Sequence, residues 1–230
     1  MNRSASAVPA PPNFYRRELA IFLALAGFTY LTIARDLSDP NHGNVWSRLS
    51  LMFAVVEKGK LNIDDYIGGG TEDWSRYDGH YYSNKAPAPA LIAAPFYFVQ
   101  YRIERAFQID PRGPLPQNIA QYVANLVSTV IPTLIALALL WVVLLRRYAL
   151  PPWSVALLCA AWAVGSLALV YTVLFFGHQT AAAFFCIGMC ISLLEVDQPR
   201  PRRLFVAGLA MGIAVAADYI CAQFVVVWTL

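Results

Sequence analysis

The stretch IAQYVANLVSTVIPTLIALALLWVVLL, residues 119–145, decides the class of fold, because it carries no charged side chain. A helix needs about 20 apolar residues to cross a hydrocarbon core of about 30 Å, so this stretch predicts a transmembrane helix. Gln121 and Asn125, followed by Ser128 or Thr129, form a polar stripe at helical spacing. We expect this stripe to face other helices or a cavity.

The composition of the chain also favours a membrane protein. Of 230 residues, 58% are hydrophobic and 13% are charged, and the mean hydropathy is +0.51. Soluble domains carry about 25% charged residues. The net charge of +3 is small and the basic residues are dispersed, which disfavours nucleic acid as a partner. The four cysteines lie in apolar runs, where we expect small buried side chains.

The predicted fold class is an all-α polytopic membrane protein. It has six apolar segments, which are residues 19–34, 86–101, 119–145, 155–176, 179–194 and 204–230. We expect residues 1–17 to be a disordered tail. Residues 18–34 are predicted to form a first transmembrane helix, which is retained as a signal anchor. Residues 86–230 predict a transmembrane bundle, kinked at Pro132. The last apolar run reaches Leu230, from which we expect the N-terminal part of a longer protein.

Residues 35–85 form the one long polar region, predicted to be an external loop. Apolar side chains recur at helical spacing from Val45 to Val56, while Ser47 and Ser50 take the opposite side. This pattern predicts an amphipathic helix. We expect it to lie in the membrane interface, the alternative being an ordinary helix packed on a small soluble loop domain.

The orientation rests on basic residues. Arg16 and Arg17 at the start of the first segment predict an internal N-terminus and an external loop. Six simple crossings would nevertheless place Arg146 and residues 200–203 outside, against the positive-inside tendency. The conflict disappears if residues 86–101 are re-entrant, which in turn leaves Arg102 and its basic neighbours outside.

Lys85 stands at the entrance to an apolar segment that contains three prolines. A lysine at the membrane boundary can neutralise a phosphate, or it can be a simple interfacial anchor. The adjacent prolines restrict the backbone. We interpret the motif as a rigid rim that holds a cation over a lipid phosphate.

This motif and its surroundings resemble the membrane-embedded GT-C glycosyltransferases, in particular bacterial relatives of protein mannosyltransferases and lipid A aminoarabinose transferases. In those families the first external loop ends in Lys-Pro-Pro or Lys-Ala-Pro-Gly, and here GHYYSNKAPAPALIAAPFY (79–97) contains Lys85, Ala86 and Pro87. SRLSLMFAVVEKGKLNI (47–63) resembles the segment of an Arg, a short helix and a Gly in the same loop. FFGHQTAAAFF (175–185) and GLAMGIAVAADY (208–219) resemble later, weaker parts of the pattern.

The resemblance implies transfer of a sugar from a polyprenyl-phosphate donor to a lipid, protein or glycan acceptor on the outer face. It implies that Lys85 binds the donor phosphate and that Arg48 assists. The family has an Asp three or four residues before this Arg, where this chain has Val45 and Asn44. Neither can act as a base, so the upstream carboxylates Asp39 and Asp36 are the candidate catalytic residues, with Asp39 preferred.

Four further residues are candidates for lining a cavity. His80 and Tyr82 precede Lys85 in the loop, and their alternative role is an aromatic belt at the interface. His178 and Asp218 fall within or between apolar segments, where an ionisable side chain is costly unless it is paired or wet.

The loop carboxylates Asp64, Asp65, Glu72 and Asp73 are interpreted as solvated charges, with Asp73 the best candidate for a structural role. A divalent cation bound among them is an alternative, because hard cations take carboxylate oxygens. No metal-ligand spacing of Cys or His is present in the sequence, and no cofactor is certain.

Two other functions remain open at this point. A transporter or flippase of a lipid-linked or small polar substrate would also use buried polar side chains, although the paired repeats typical of transporters are not visible. A catalytically inactive scaffold of the same fold would explain the missing Asp. The long, ordered loop favours the enzyme, whose partners would be the lipid-linked donor and membrane lipids.

Overall fold

The structure, a computed structural model, describes residues 14–33, 43–69 and 72–230. Ten α-helices are described: α1 Phe14–Thr32, α2 Gly43–Phe53, α3 Ala88–Ala106, α4 Pro114–Asn125, α5 Ile131–Arg146, α6 Pro152–Ala163, α7 Leu167–Thr172, α8 Gly177–Leu194, α9 Pro201–Ala217 and α10 Cys221–Thr229. Two strands, β1 Trp74–Tyr77 and β2 His80–Ser83, form an antiparallel hairpin, and Asp64–Gly69 is a 3₁₀ helix. The described fold is mostly helical, as predicted from the apolar segments.

Helices α1, α5, α6, α8 and α9 form a bundle around apolar cores. Helix α1 runs antiparallel to α5, because Phe22 packs on Trp141 and Gly27 lies against Leu134. Helices α5 and α8 run parallel, since Gln179 Nε2 donates to Thr133 Oγ1 at their starts and Arg147 pairs with Asp197 just after their ends. These directions give the bundle two chemically different ends.

The two ends are named here by what they carry. The "arginine end" holds the start of α1, the end of α5 and the start of α9, with the basic residues Arg16, Arg17, Arg146, Arg147, Arg200, Arg202 and Arg203. The "site end" holds the start of α8 and the end of α9, where Gly177 lies against Ala217.

Helices α3 and α4 form a hairpin at the site end. Gln100 Nε2 donates to the backbone oxygen of Pro116 at 2.9 Å, which joins the later turns of α3 to the start of α4. The first turns of α3 meet the bundle, where Ala88 and Ile92 pack with Ala181 and Ala217. The remaining turns of α3 pack on α2 and α4. Helix α3 therefore packs against the polar region of residues 35–85 through α2.

The helix predicted in the polar region is confirmed as α2, but its polar side is not exposed to solvent. Val45, Leu49 and Met52 are fully buried against α3 and α4. Ser47 and Ser50, expected to face solvent, are fully buried as well. The helix is therefore enclosed on both sides, since the β-hairpin and the bundle cover its polar side.

Several predicted segments are interrupted. Residues 155–176 divide into α6 and α7 at Gly165 and Ser166, where the Ser166 side chain caps α7. Residues 204–230 divide into α9 and α10 at Asp218, whose backbone is extended. The helix that contains residues 119–145 runs from Pro114 to Arg146 and takes one π-helical turn, Leu126–Val130, just before Pro132.

Two described helices are long and apolar enough to cross a membrane, Pro114–Arg146 and Gly177–Leu194. About half of each apolar window is buried within the fold. Two such helices indicate membrane association only weakly, because the core helix of a soluble protein has the same length and composition.

Candidate functional site

Five charged or titratable side chains converge at the site end of the bundle. They come from separate parts of the chain: α2, the two flanks of the β-hairpin, the start of α8 and the end of α9. They are Arg48, Asp73, Lys85, His178 and Asp218. Four of these five were candidates from the sequence, and Asp73 is the addition.

The β-hairpin brings Asp73 and Lys85 together. Its strands pair Trp74 with Ser83, so Asp73 and Asn84 flank this last pair and Lys85 follows one residue further on. Lys85 Nζ lies 3.1 Å from Asp73 Oδ1, and both side chains are partly exposed. The hairpin thus holds a cation and a carboxylate side by side.

A serine on α2 ties the hairpin to the site. Ser47 Oγ donates to the backbone oxygen of Asp73 and lies 2.8 Å from Ser83 Oγ. Ser83 Oγ in turn accepts from the backbone N–H of Lys85 at 3.3 Å. These bonds fix both flanks of the hairpin beside Arg48, which follows Ser47 on α2.

Arg48 is a buried cation with incomplete hydrogen bonding. Only 5% of the residue is exposed. Its Nη1 donates to the side chain and the backbone oxygen of Asn44, while its buried Nε has no partner among the described residues. Burial lowers the pKa of Arg48 from 12.5 to about 10, although the negative charges of Asp218 and Asp73 act to raise it. The guanidinium therefore stays charged at neutral pH.

Gly177 allows the start of α8 to approach both neighbours closely. A Cβ at this position would overlap the backbone oxygen of Ala217 and lie 3.0 Å from Arg48 Nη2. The absence of a side chain here lets the guanidinium lie against the break between α9 and α10.

His178 and Asp218 form the other half of the cluster. His178 Nδ1 lies 2.6 Å from Asp218 Oδ2, and the ring packs edge-on against Tyr171 with 5.1 Å between centroids. The His178 side chain is about half exposed and that of Asp218 about one-fifth. Helix α9 ends at Asp218, and the carboxylate of this residue reaches His178 at the start of α8.

The cluster can bind an anion and can accept a proton. Arg48 and Lys85 are cations on different elements, and an arginine with free N–H groups suits phosphate. Asp73 and Asp218 now neutralise part of this charge. An incoming phosphate that displaced Asp73 from Lys85 would leave a carboxylate free beside it.

The other two cavity-lining candidates lie elsewhere on the hairpin. His80 closes the turn opposite Tyr77, at the far end from Lys85. Its Nδ1 lies 2.7 Å from Asp64 Oδ2, and Asp64 Oδ1 accepts from Tyr81 N–H. The Tyr81 amide and then His80 lower the pKa of Asp64. Tyr82 is partly buried in β2 opposite Ser75.

Asp36 and Asp39, the candidate bases from the sequence, lie outside the described residues. At the position where the resemblance leads one to expect a carboxylate, Asn44 Oδ1 accepts a hydrogen bond from Arg48. An amide there can orient the guanidinium, although it cannot take a proton.

The described residues contain no group of three or more His, Cys, Asp or Glu side chains that could hold a metal ion. Asp64 and Asp73, two members of the acidic set considered for a divalent cation, are instead paired with His80 and Lys85.

A sequence signal for the Asp73–Lys85 pair was present but not used. Asp78 and Gly79 both have positive φ, 48° and 80°, as the central residues of a type I′ turn require. An Asp-Gly dipeptide between two short runs is a strong local signal for a hairpin. It would have predicted that Asp73 meets Asn84, the neighbour of Lys85.

Buried polar side chains continue from the site into the bundle. Thr129 Oγ1 lies 3.0 Å from Thr180 Oγ1, and Asn125 Nδ2 donates to the backbone oxygen of Thr172 at 3.0 Å. The polar stripe predicted from residues 119–145 therefore faces α7 and α8.

Comparison of the chain with protein-family models, with curated proteins and with solved structures finds no match.

Proposed function

We propose that this protein is a membrane glycosyltransferase of GT-C type that uses a polyprenyl-phosphate sugar donor. The observation that carries the proposal is the convergence of Lys85 with the buried, incompletely bonded Arg48 beside Asp73. A phosphate between two such cations would receive charge-assisted hydrogen bonds. The resemblance in residues 47–63 and 79–97 implied the same two basic residues.

A polytopic arrangement in the membrane is supported by the outer surface of the bundle. Large apolar side chains face outward on α1, α9 and α10, where no described part of the chain covers them: Ile21, Leu25, Phe28, Leu204, Phe205, Leu209, Phe224, Val227 and Trp228. An apolar surface of this extent suits contact with lipid. We propose that α1, α5, α6 with α7, α8 and α9 each cross the bilayer.

The two ends of the bundle support an orientation with the site outside. Seven arginines share the arginine end, and positive residues favour the cytoplasmic side. This arrangement avoids the external Arg146 and residues 200–203 of six simple crossings, because the α3–α4 hairpin remains at the site end. It leaves Arg102, Arg105 and Arg112 outside, fewer than the seven at the arginine end. The first loop, with Lys85, would then face the outer side of a bacterial inner membrane.

In the proposed reaction, Lys85 and Arg48 hold the phosphate of the donor. The acceptor hydroxyl attacks the anomeric carbon, and the bond from this carbon to the phosphate oxygen breaks. The phosphate leaves with the electron pair, stabilised by the two cations. The hydroxyl proton passes to a carboxylate, for which Asp39, Asp36 and Asp73 are the candidates.

The test is binding of polyprenyl phosphate to the detergent-solubilised protein, measured by native mass spectrometry. Loss of a charge-assisted bond costs about 1.5–3 kcal/mol, so Lys85→Ala should weaken binding roughly tenfold or more. Lys60→Ala is the matched control, because Lys60 is an exposed lysine of the same loop. Equal affinity of wild type and Lys85→Ala would refute the proposed role of Lys85.

A transporter or flippase is the second candidate, favoured by the polar line through Thr129 and Thr180. Polar side chains in a membrane bundle mark substrate or ion paths. The two functions separate in reconstituted vesicles, where a flippase moves a labelled lipid-linked sugar across the bilayer and a transferase consumes it. An inactive scaffold would do neither while still binding the lipid phosphate.

A further inference from the structure

A second pocket lies on the opposite side of α2 from the cation cluster. Trp46 and Phe53 face it from α2 and are seven residues apart, which places them on one face of the helix. Arg48 follows Trp46 by two residues and points to the other side. One helix diameter, about 10 Å, therefore separates the pocket from the cluster.

The pocket is built from the loop and from the start of α4. Its volume is about 140 Å³, which is room for several water molecules and suits one sugar ring. The lining residues are Trp46, Phe53, Glu57, Asp65, Tyr66, Pro111, Arg112 and Gln117. Aromatic and aliphatic walls are thus combined with hydrogen-bonding groups of both kinds.

Glu57 is held firmly at the edge of the pocket. It lies in the π-helical turn Ala54–Lys58 that extends α2, a local feature that often marks functional sites. Tyr97 donates to Glu57 Oε1 at 2.7 Å and Tyr66 to Oε2 at 3.0 Å. Burial and this carboxylate raise the pKa of Tyr66. Each carboxylate oxygen can still accept another bond.

Two other polar side chains of the pocket, those of Asp65 and Gln117, make no hydrogen bond or ion pair with the described residues. The Arg112 guanidinium lies over the Tyr66 ring, 5.3 Å from its centroid. The pocket therefore offers free acceptors and donors next to a tryptophan.

The lining residues of the pocket favour one class of ligand over others. Two carboxylates disfavour a phosphate or another anion, and four charged or amide side chains disfavour a purely apolar ligand. A sugar ring fits both sets, because its C–H face packs on an aromatic ring while its hydroxyls both donate and accept. Carboxylate and amide groups such as Asp65 and Gln117 can each bond two neighbouring hydroxyls.

We propose that this pocket binds a neutral sugar residue of the acceptor, at a position where that residue is recognised but not transformed. Its role as an acceptor subsite rests on the proposed function, whereas sugar binding itself does not. The distance of one helix diameter from Lys85 separates recognition of the glycan from the reacting hydroxyl.

The experiment measures binding of soluble methyl glycosides of glucose, galactose and mannose to the full chain in detergent, by saturation-transfer NMR and titration calorimetry. We expect saturable binding of at least one glycoside. Asp65→Asn, a change at an exposed residue that leaves the packing intact, should weaken this binding at least threefold. Trp46→Ala should abolish it, while Trp46→Phe keeps part of it.

Lys85→Ala is the control, since it should bind the same glycoside as well as wild type does. Absence of saturable binding for all three glycosides, or unchanged binding in both Asp65→Asn and Trp46→Ala, would overturn the assignment. Glycoside binding without any polyprenyl-phosphate binding would support the pocket and remove the proposed transferase. Phosphate binding without glycoside binding would remove the pocket alone.

Discussion

Lys85 Nζ lies 3.1 Å from Asp73 Oδ1, and the two residues stand just outside the two ends of one β-hairpin. Eleven residues of sequence separate them, yet the Trp74–Ser83 pair of the hairpin makes them neighbours. Arg48 and Asp218 reach the same region from α2 and α9. The site therefore depends on a small β element in a fold that is otherwise helical.

Asp73→Asn is expected to separate binding from turnover. The change removes a negative charge beside Lys85, so affinity for polyprenyl phosphate should be equal to or higher than that of wild type. If Asp73 takes the acceptor proton, turnover should fall by about 100-fold or more. Steady-state transfer and lipid binding are measured on the same preparation.

Asp39→Asn and Asp36→Asn are the parallel variants for the base. The variant with the largest loss of turnover and unchanged lipid binding identifies the carboxylate that accepts the proton. Full transfer activity in all three variants would show that the base lies elsewhere in the chain.

Gly177→Ala is expected to damage the site, because its Cβ would overlap the backbone oxygen of Ala217 and press on Arg48. Overpacking of this kind costs about 1–3 kcal/mol of unfolding free energy, and displacement of Arg48 should weaken phosphate binding. Denaturant unfolding and lipid binding report the two effects. Gly208→Ala is the matched control, since a Cβ at Gly208 meets no atom within 4 Å, and it should leave both measurements unchanged or slightly improved.

His80→Ala and Asp64→Ala are expected to leave phosphate binding within about twofold of wild type. Their pair lies at the turn of the hairpin, and His80 is five residues, or roughly 16 Å, along the extended chain from Lys85. His178→Ala, by contrast, removes the partner of Asp218 beside Arg48, and the affinity for polyprenyl phosphate should therefore change. A large loss of phosphate binding in His80→Ala would contradict this prediction and show that His80 contributes to the site.

Labelling of single cysteines tests the proposed orientation. Cys221 is replaced by Ser, because it is the partly exposed one of the four cysteines. Lys60→Cys in the loop should then react in intact cells with a membrane-impermeant reagent, whereas Arg202→Cys at the arginine end should react only after lysis. The reverse pattern would place the candidate site inside the cell and contradict outer-face chemistry.

Local sequence patterns determined the helical character of the chain and most of its helix positions. In an apolar environment, a charge-free run such as residues 119–145 can pair its own backbone N–H and C=O groups only as a helix. The spacing of apolar residues from Val45 onwards predicted α2. Lys85, His178 and Asp218 were singled out for the same kind of reason, since each is a charged or titratable group close to apolar sequence. Arg48 became a candidate only through the resemblance of residues 47–63.

Only the tertiary structure decided which of these residues meet. Asp73 belongs to the site because strand pairing brings together residues that are distant in sequence. His80 lies far from Lys85 because it is at the other end of the same hairpin. The burial of Arg48, Ser47 and Ser50 was equally invisible in the periodicity of α2, because periodicity reports which face is apolar and not what covers the polar face. The approach of α8 to α9 at Gly177 depends on two helices packing backbone to backbone, and no local pattern specifies the partner of a glycine.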